Sequence, residues 1–140
     1  MKNLNLQEYP DITTAHGAAA VKWISEMSVA NCWNLTDEEV AKILGGVSLS
    51  NYLKLKNNAK EASSLEASKN ILLSISILLG IWKCLQLVVP QNRRDLAYAW
   101  FDKSNSSELL RGKSIKQYLI EHQSNEALCA VRSYLEKVCV

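Results

Sequence analysis

The chain has 140 residues, 48% of them apolar, and a formal net charge of +2. That balance is the balance of one packed domain, or of two small ones sharing a core, and it excludes a disordered chain. A charge so close to neutral also excludes nucleic-acid binding by bulk electrostatics, so only a locally concentrated positive face can serve that purpose.

The first 14 residues (MKNLNLQEYPDITT) lack the apolar core of a signal peptide. A helix is expected over residues 14–27, with Ala18, Val21, Trp23, Ile24 and Met27 on its apolar side. Thr36 is placed to cap a second helix, with Glu39 three residues on in a capping-box pattern. Val40, Ala41, Ile43 and Leu44 form its stripe, and Gly45 and Gly46 end it. Ser48 is the expected cap of a third helix through residue 56, with Leu49, Tyr52, Leu53 and Leu55 as its apolar positions. Residues 57–64 (NNAKEASS) are small and polar and read as a linker. They suggest two domains, 1–62 and 63–140.

A long helix is expected over residues 65–88, stopped by Pro90. Its stretch 71–89 approaches a membrane span in length, yet Lys83 and Gln86 lie inside it and Ser74, Ser76 and Gly80 dilute it. It therefore reads as a deeply buried helix rather than a span. Its apolar surface exceeds what so short a chain is expected to hide, which points to a homodimer through Leu78, Leu79, Ile81, Trp82 and Leu85. Further helices are expected over 93–101, 114–121 and 125–138, with a loop over 102–111. The last helix carries Leu128, Val131, Leu135 and Val138 at three- and four-residue spacing. No segment alternates as a strand does, so the fold class is all-α.

Residues 35–56 (LTDEEVAKILGGVSLSNYLKLK) hold the most specific pattern. A helix-turn-helix needs a small residue within its first helix and a residue tolerant of positive φ at the turn. Ala41 and Gly45 stand four apart, as those roles require. The second helix would then turn Ser48, Ser50, Asn51, Lys54 and Lys56 toward a major groove, with Lys60 just beyond. Asparagine can pair with adenine, and lysine can reach guanine or phosphate. From Gly45 through Lys60 the chain has three lysines and no carboxylate. The plainer alternative is a helical hairpin with a solvated lysine edge.

Four segments in order, WNLTDEEVAKILGGVS, SISILLGIWKCLQLVVP, AYAWFDKSN and LLRGKSIKQYL, resemble the Xre/MbcA/ParS family of antitoxins. The resemblance lies in the Leu-Leu-Gly-Ile-aromatic-Lys-x-Leu run at 78–85, in Ala99, Trp100 and Asn105, and in Gly112 and Ser114. The chain departs from that pattern at Ser74, where the family usually has arginine, and at Ser104, Ile115 and Lys116, which replace prolines and a leucine. Gly46 is an additional residue in the turn. The resemblance implies a helix-turn-helix joined to a helical toxin-binding domain. It implies a partner, a RES-domain toxin that consumes NAD or transfers ADP-ribose, and repression of the operon through operator DNA. Trp100, Asn105, Gly112, Ser114, Arg132 and Val140 are the toxin-facing candidates it suggests. A helical interaction module, or a regulator without a toxin, is the alternative.

No enzyme is expected. Cys32, Cys84, Cys129 and Cys139 lack the close spacing of a zinc or redox pair, and read as reduced thiols of a cytoplasmic protein without metal or cofactor. His16 and His122 stand alone. Glu38 and Glu39 suit the positive end of a helix better than acid–base chemistry.

Overall fold

A computed structural model describes residues 17–61 and 69–139. Among these residues the elements are all helical, in the order α1 (Gly17–Met27), α2 (Asp37–Ile43), α3 (Leu49–Glu61), α4 (Lys69–Leu87), α5 (Arg94–Phe101), α6 (Ile115–His122) and α7 (Asn125–Cys139).

Local chemistry fixes most helix ends. Thr36 Oγ1 accepts from the Glu39 amide at 3.1 Å, and Glu39 Oε1 accepts from the Thr36 amide at 2.9 Å. Two amides that the helix cannot satisfy internally are thereby paired. Asp37, Glu38 and Glu39 occupy the first turn of α2, where the helix dipole favours negative charge. Ser114 and Gln117 build the same reciprocal cap on α6. Ser48 accepts from the Asn51 amide at the start of α3, and Ser124 from the Ala127 amide at the start of α7. α3 continues beyond residue 56, so the expected linker is helical at least as far as Glu61. Its polar residues include no glycine or proline, and polarity alone does not break a helix.

α4 is the axis of the packing. α7 lies along it, α5 and α1 cover further sides, α3 packs on α1, and α2 rests on α3 and α6. Leu72, Ile75, Ile77, Leu78, Ile81 and Leu85 of α4 are all 0% exposed. Leu128, Val131 and Leu135 of α7 are equally enclosed, while Val138 at 43% stands outside the core. Burying each such side chain stabilises by about 1.5–3 kcal/mol, and the single chain already gains that amount. The homodimer surface expected from α4 is thus corrected. Leu78, Ile81 and Leu85 are sealed within one copy, Trp82 is 9% exposed, and Leu79 is half-buried. No helix among the described residues is long and apolar enough to cross a membrane.

Aromatic side chains join the two halves. Trp33, 1% exposed, stacks on Phe101 with ring centres 4.2 Å apart. It meets Trp23 and Trp82 edge-on at 5.7 and 6.1 Å, and Trp82 stacks on Tyr98 at 4.7 Å. These geometries suit the ring quadrupoles. One buried apolar cluster therefore runs from Ala20 in α1 to Leu135 in α7, across the boundary suggested near residue 62. Replacing Thr36 or Ser114 with alanine removes one side-chain cap, and each variant is expected to lose about 1 kcal/mol. Urea unfolding reads this as a lower midpoint with an unchanged slope.

Candidate nucleic-acid interface

The turn between α2 and α3 is built by glycine. Gly45 and Gly46 adopt φ of +97° and +80°, a region that L side chains rarely enter. Their amides both donate to the Lys42 carbonyl at 3.2 Å, and the Val47 amide returns to the Ala41 carbonyl at 3.0 Å. The last carbonyls of α2 are thus satisfied as the chain reverses. Ser74, 0% exposed in α4, anchors this turn. Its Oγ donates to the Leu44 carbonyl at 3.1 Å and pairs with the side chain of Asn125 at the start of α7. One buried hydroxyl of α4 therefore ties the end of α2 to the start of α7. An open groove of about 640 Å³ lies beside the turn, lined by residues that include Ser48, Asn51, Gln123 and Glu126.

α3 has two unlike faces. Inward, Tyr52 is 1% exposed. Its hydroxyl has no hydrogen-bond partner. Burial and the Asp37 carboxylate push its pKa up to about 12, while the Ser25 hydroxyl, outside hydrogen-bond geometry, pulls the other way. Outward, Ser48, Ser50, Asn51 and Lys54 are all exposed, as expected of a presenting face. Two details differ from the sequence reading. Leu49 is 42% exposed and belongs to the outer surface, not to the core. Lys56 bends to α2 and pairs with Asp37 at 2.9 Å, both ends being partly shielded. The carboxylate absent between Gly45 and Lys60 is supplied across the turn, so Lys56 braces α3 on α2 instead of offering a free cation. Lys60 belongs to α3, and its side chain lies outside the described residues.

The residues suggested as toxin-facing differ in their surroundings. Trp100 is half-buried against the core. Asn105 is occupied by its own loop: Oδ1 accepts from the Ser107 amide at 2.7 Å, and Nδ2 donates to the Tyr134 hydroxyl at 3.1 Å. Gly112 is exposed at φ +90° and its amide donates to the Asn105 carbonyl at 2.7 Å. Ser114, 1% exposed, is spent on capping α6. Asn105, Gly112 and Ser114 thus shape the α5–α6 connection, and the burial of Ser114 closes it to a partner. Val140 lies outside the described residues.

Arg132 is the informative one. It lies across α4 at Gly80, where a Cβ would stand 2.8 Å from its Nε, and it pairs with Glu136 at 2.9 Å. A glycine interrupting an apolar helix signals such a close approach in the sequence, as Ser74 within the same run signals a buried polar tie. Neither role was assigned from the sequence.

Among the described residues no group of three His, Cys, Asp or Glu side chains is arranged to hold a metal. Cys84 is buried, and Cys32 and Cys129 are half-buried. Compared with known proteins, the chain matches no family model, no curated protein and no solved structure.

Two outcomes follow from this geometry. Folded Tyr52 keeps its proton up to about pH 12, whereas an unfolded tyrosine loses it near about 10. Its contribution is complete below the lower value and is lost as pH rises through the higher one. Tyr52→Phe is expected to leave stability at pH 7 within about 1 kcal/mol of the parent, because the hydroxyl makes no bond. It should also lessen the alkaline loss, read from urea midpoints between those pH values. Gly80→Ala should hold or raise the melting temperature, since alanine favours a helix interior by about 1 kcal/mol. The flexible arginine end must move aside, which the NMR signal of Arg132 Nε–Hε reports.

Proposed function

We propose that the chain is a DNA-binding antitoxin, with α2 and α3 as its helix-turn-helix and α3 as the helix entering the major groove. The observation that carries this reading is the outer face of α3. It exposes Ser50, Asn51 and Lys54 without an intervening carboxylate, while Tyr52 holds the opposite face in the core. Serine and asparagine can read base edges, and lysine supplies phosphate attraction that needs no high net charge. Leu49, exposed at the start of α3, suits apolar contact with a thymine methyl.

In this reading the partner protein is a RES-domain toxin, suggested by the four family-like segments. Neutralisation is steric: the antitoxin covers the toxin's NAD cleft and performs no bond-making itself. Arg132 and the exposed end of α7, with Lys137 and Val138, are the contacts it employs. The same resemblance implies repression of the chain's own operon.

A second reading is favoured by the Lys56–Asp37 pair. With Lys56 engaged and no arginine in α3, the helix has few cations for phosphate. A helical protein-interaction module without DNA contact fits that arrangement.

A gel-shift with the upstream promoter separates the two readings. The first expects binding that weakens as salt rises, because phosphate contacts release counterions. Lys54→Ala should reduce the salt slope by about one without changing the melting temperature. Lys56→Ala should instead lower stability, since it leaves Asp37 unpaired. No shift at low or high salt would overturn the DNA reading and leave the interaction module.

A further inference from the structure

The corner between α6 and α7 lies against the turn that leads into α3. Gln123, the residue that ends α6, has φ +46° and ψ +47°. Glycine fills that left-handed region most cheaply at a helix end, yet a long amide side chain stands there, exposed. A Cβ on Gly46 would lie 3.7 Å from Gln123 Oε1 and 3.8 Å from its carbonyl oxygen. A Cβ on Gly45 would lie 3.5 Å from Asn125 Oδ1. The corner is therefore packed on both glycines of the turn. The Ser74 hydroxyl fastens it, being paired with both Asn125 and the Leu44 carbonyl. Gln123 is thus held beside the first turn of α3, and it lines the same groove as Ser48 and Asn51.

We infer that Gln123 is a specificity-determining residue for duplex DNA, carried to the major groove beside the start of α3 and paired there with adenine. The inference rests on the DNA-binding reading proposed above and adds a second element to it. A helix-turn-helix meets base edges with the N-terminal residues of its second helix, and the α6–α7 corner flanks that end of α3. Glutamine suits the task, since its amide can donate to N7 and accept from N6 of one adenine. Phosphate does not suit this corner. Glu126, in the first turn of α7, lines the same groove, and its carboxylate repels a phosphate backbone while it can accept from cytosine N4. The corner therefore adds sequence preference and little general affinity, because base contacts specify where phosphate contacts position.

The test selects duplexes from a pool with a randomised core, using the full chain and its Gln123→Gly variant. Glycine suits the backbone at this position, so the variant should melt no lower than the parent and a folding defect cannot mimic the result. The parent should select an adenine at a position that the variant leaves free, with the rest of the site unchanged. Gel-shifts then compare the selected duplex with one in which that A·T pair is replaced. The replacement should weaken the parent about tenfold, the usual cost of one mismatched pair, and leave the variant unaffected. Both proteins should show the same salt slope, whereas Lys54→Ala lowers it. Identical selected sites for parent and variant, with Lys54→Ala still lowering the slope, would overturn the inference and leave the DNA-binding reading standing. A variant with a shallower salt slope and unchanged sequence preference would also overturn it, by making Gln123 a backbone contact. Selection of no duplex by the parent would overturn both.

Discussion

The burial of α4 by the chain's own helices is the constraint on which the rest of the structure depends. A helix apolar on nearly all sides must find cover on all sides. Here α7, α1 and α5 supply it. At Gly80 the missing Cβ makes room for the Arg132 side chain. Ser74 meets its polar need on the spot, through Leu44 and Asn125, as a buried hydroxyl must. The same contact anchors the turn between α2 and α3. The core and the presenting surface are therefore not independent: the helix that fills the interior also holds the turn that orients α3.

Much of this was legible in the sequence because it is local. Thr36 with Glu39, Ser48, the glycine pair and the three- and four-residue spacing of Leu128, Val131 and Leu135 each act within a few residues, and each appears where its pattern places it. What escaped was long-range. The charge of α3 looked unopposed in one dimension, yet Asp37 reaches Lys56 across the turn. The apolar excess of α4 looked like a subunit interface, because nothing in a linear reading says that α7 will lie along it. Ser114 looked like a contact, yet it is buried and caps α6. The polar tract after residue 56 looked like a linker because composition resembles one, whereas helix continuation is set by backbone preference.

These corrections sharpen the functional account. With most of the large apolar side chains of α4 enclosed, the surfaces this reading leaves for recognition are chemically distinct. One is the neutral-to-basic outer face of α3. Another is the end of α7 with Arg132. In the proposed reading the molecule acts by offering surfaces to larger partners. Lys54 becomes the principal described cation of the α3 face once Lys56 is committed to Asp37, so Ser50 and Asn51 must contribute much of any base recognition. Weak phosphate attraction combined with side chains suited to base edges favours a binder of modest affinity that gains from a second binding unit.

The most direct test of the central claim, that the outer face of α3 meets duplex DNA, is an amide NMR map of the chain titrated with its upstream promoter duplex. The account predicts shifts concentrated at Ser48, Ser50, Asn51 and Lys54, with the amides of α4 unmoved. Shifts confined to α5–α7, or none at any duplex concentration, would contradict it.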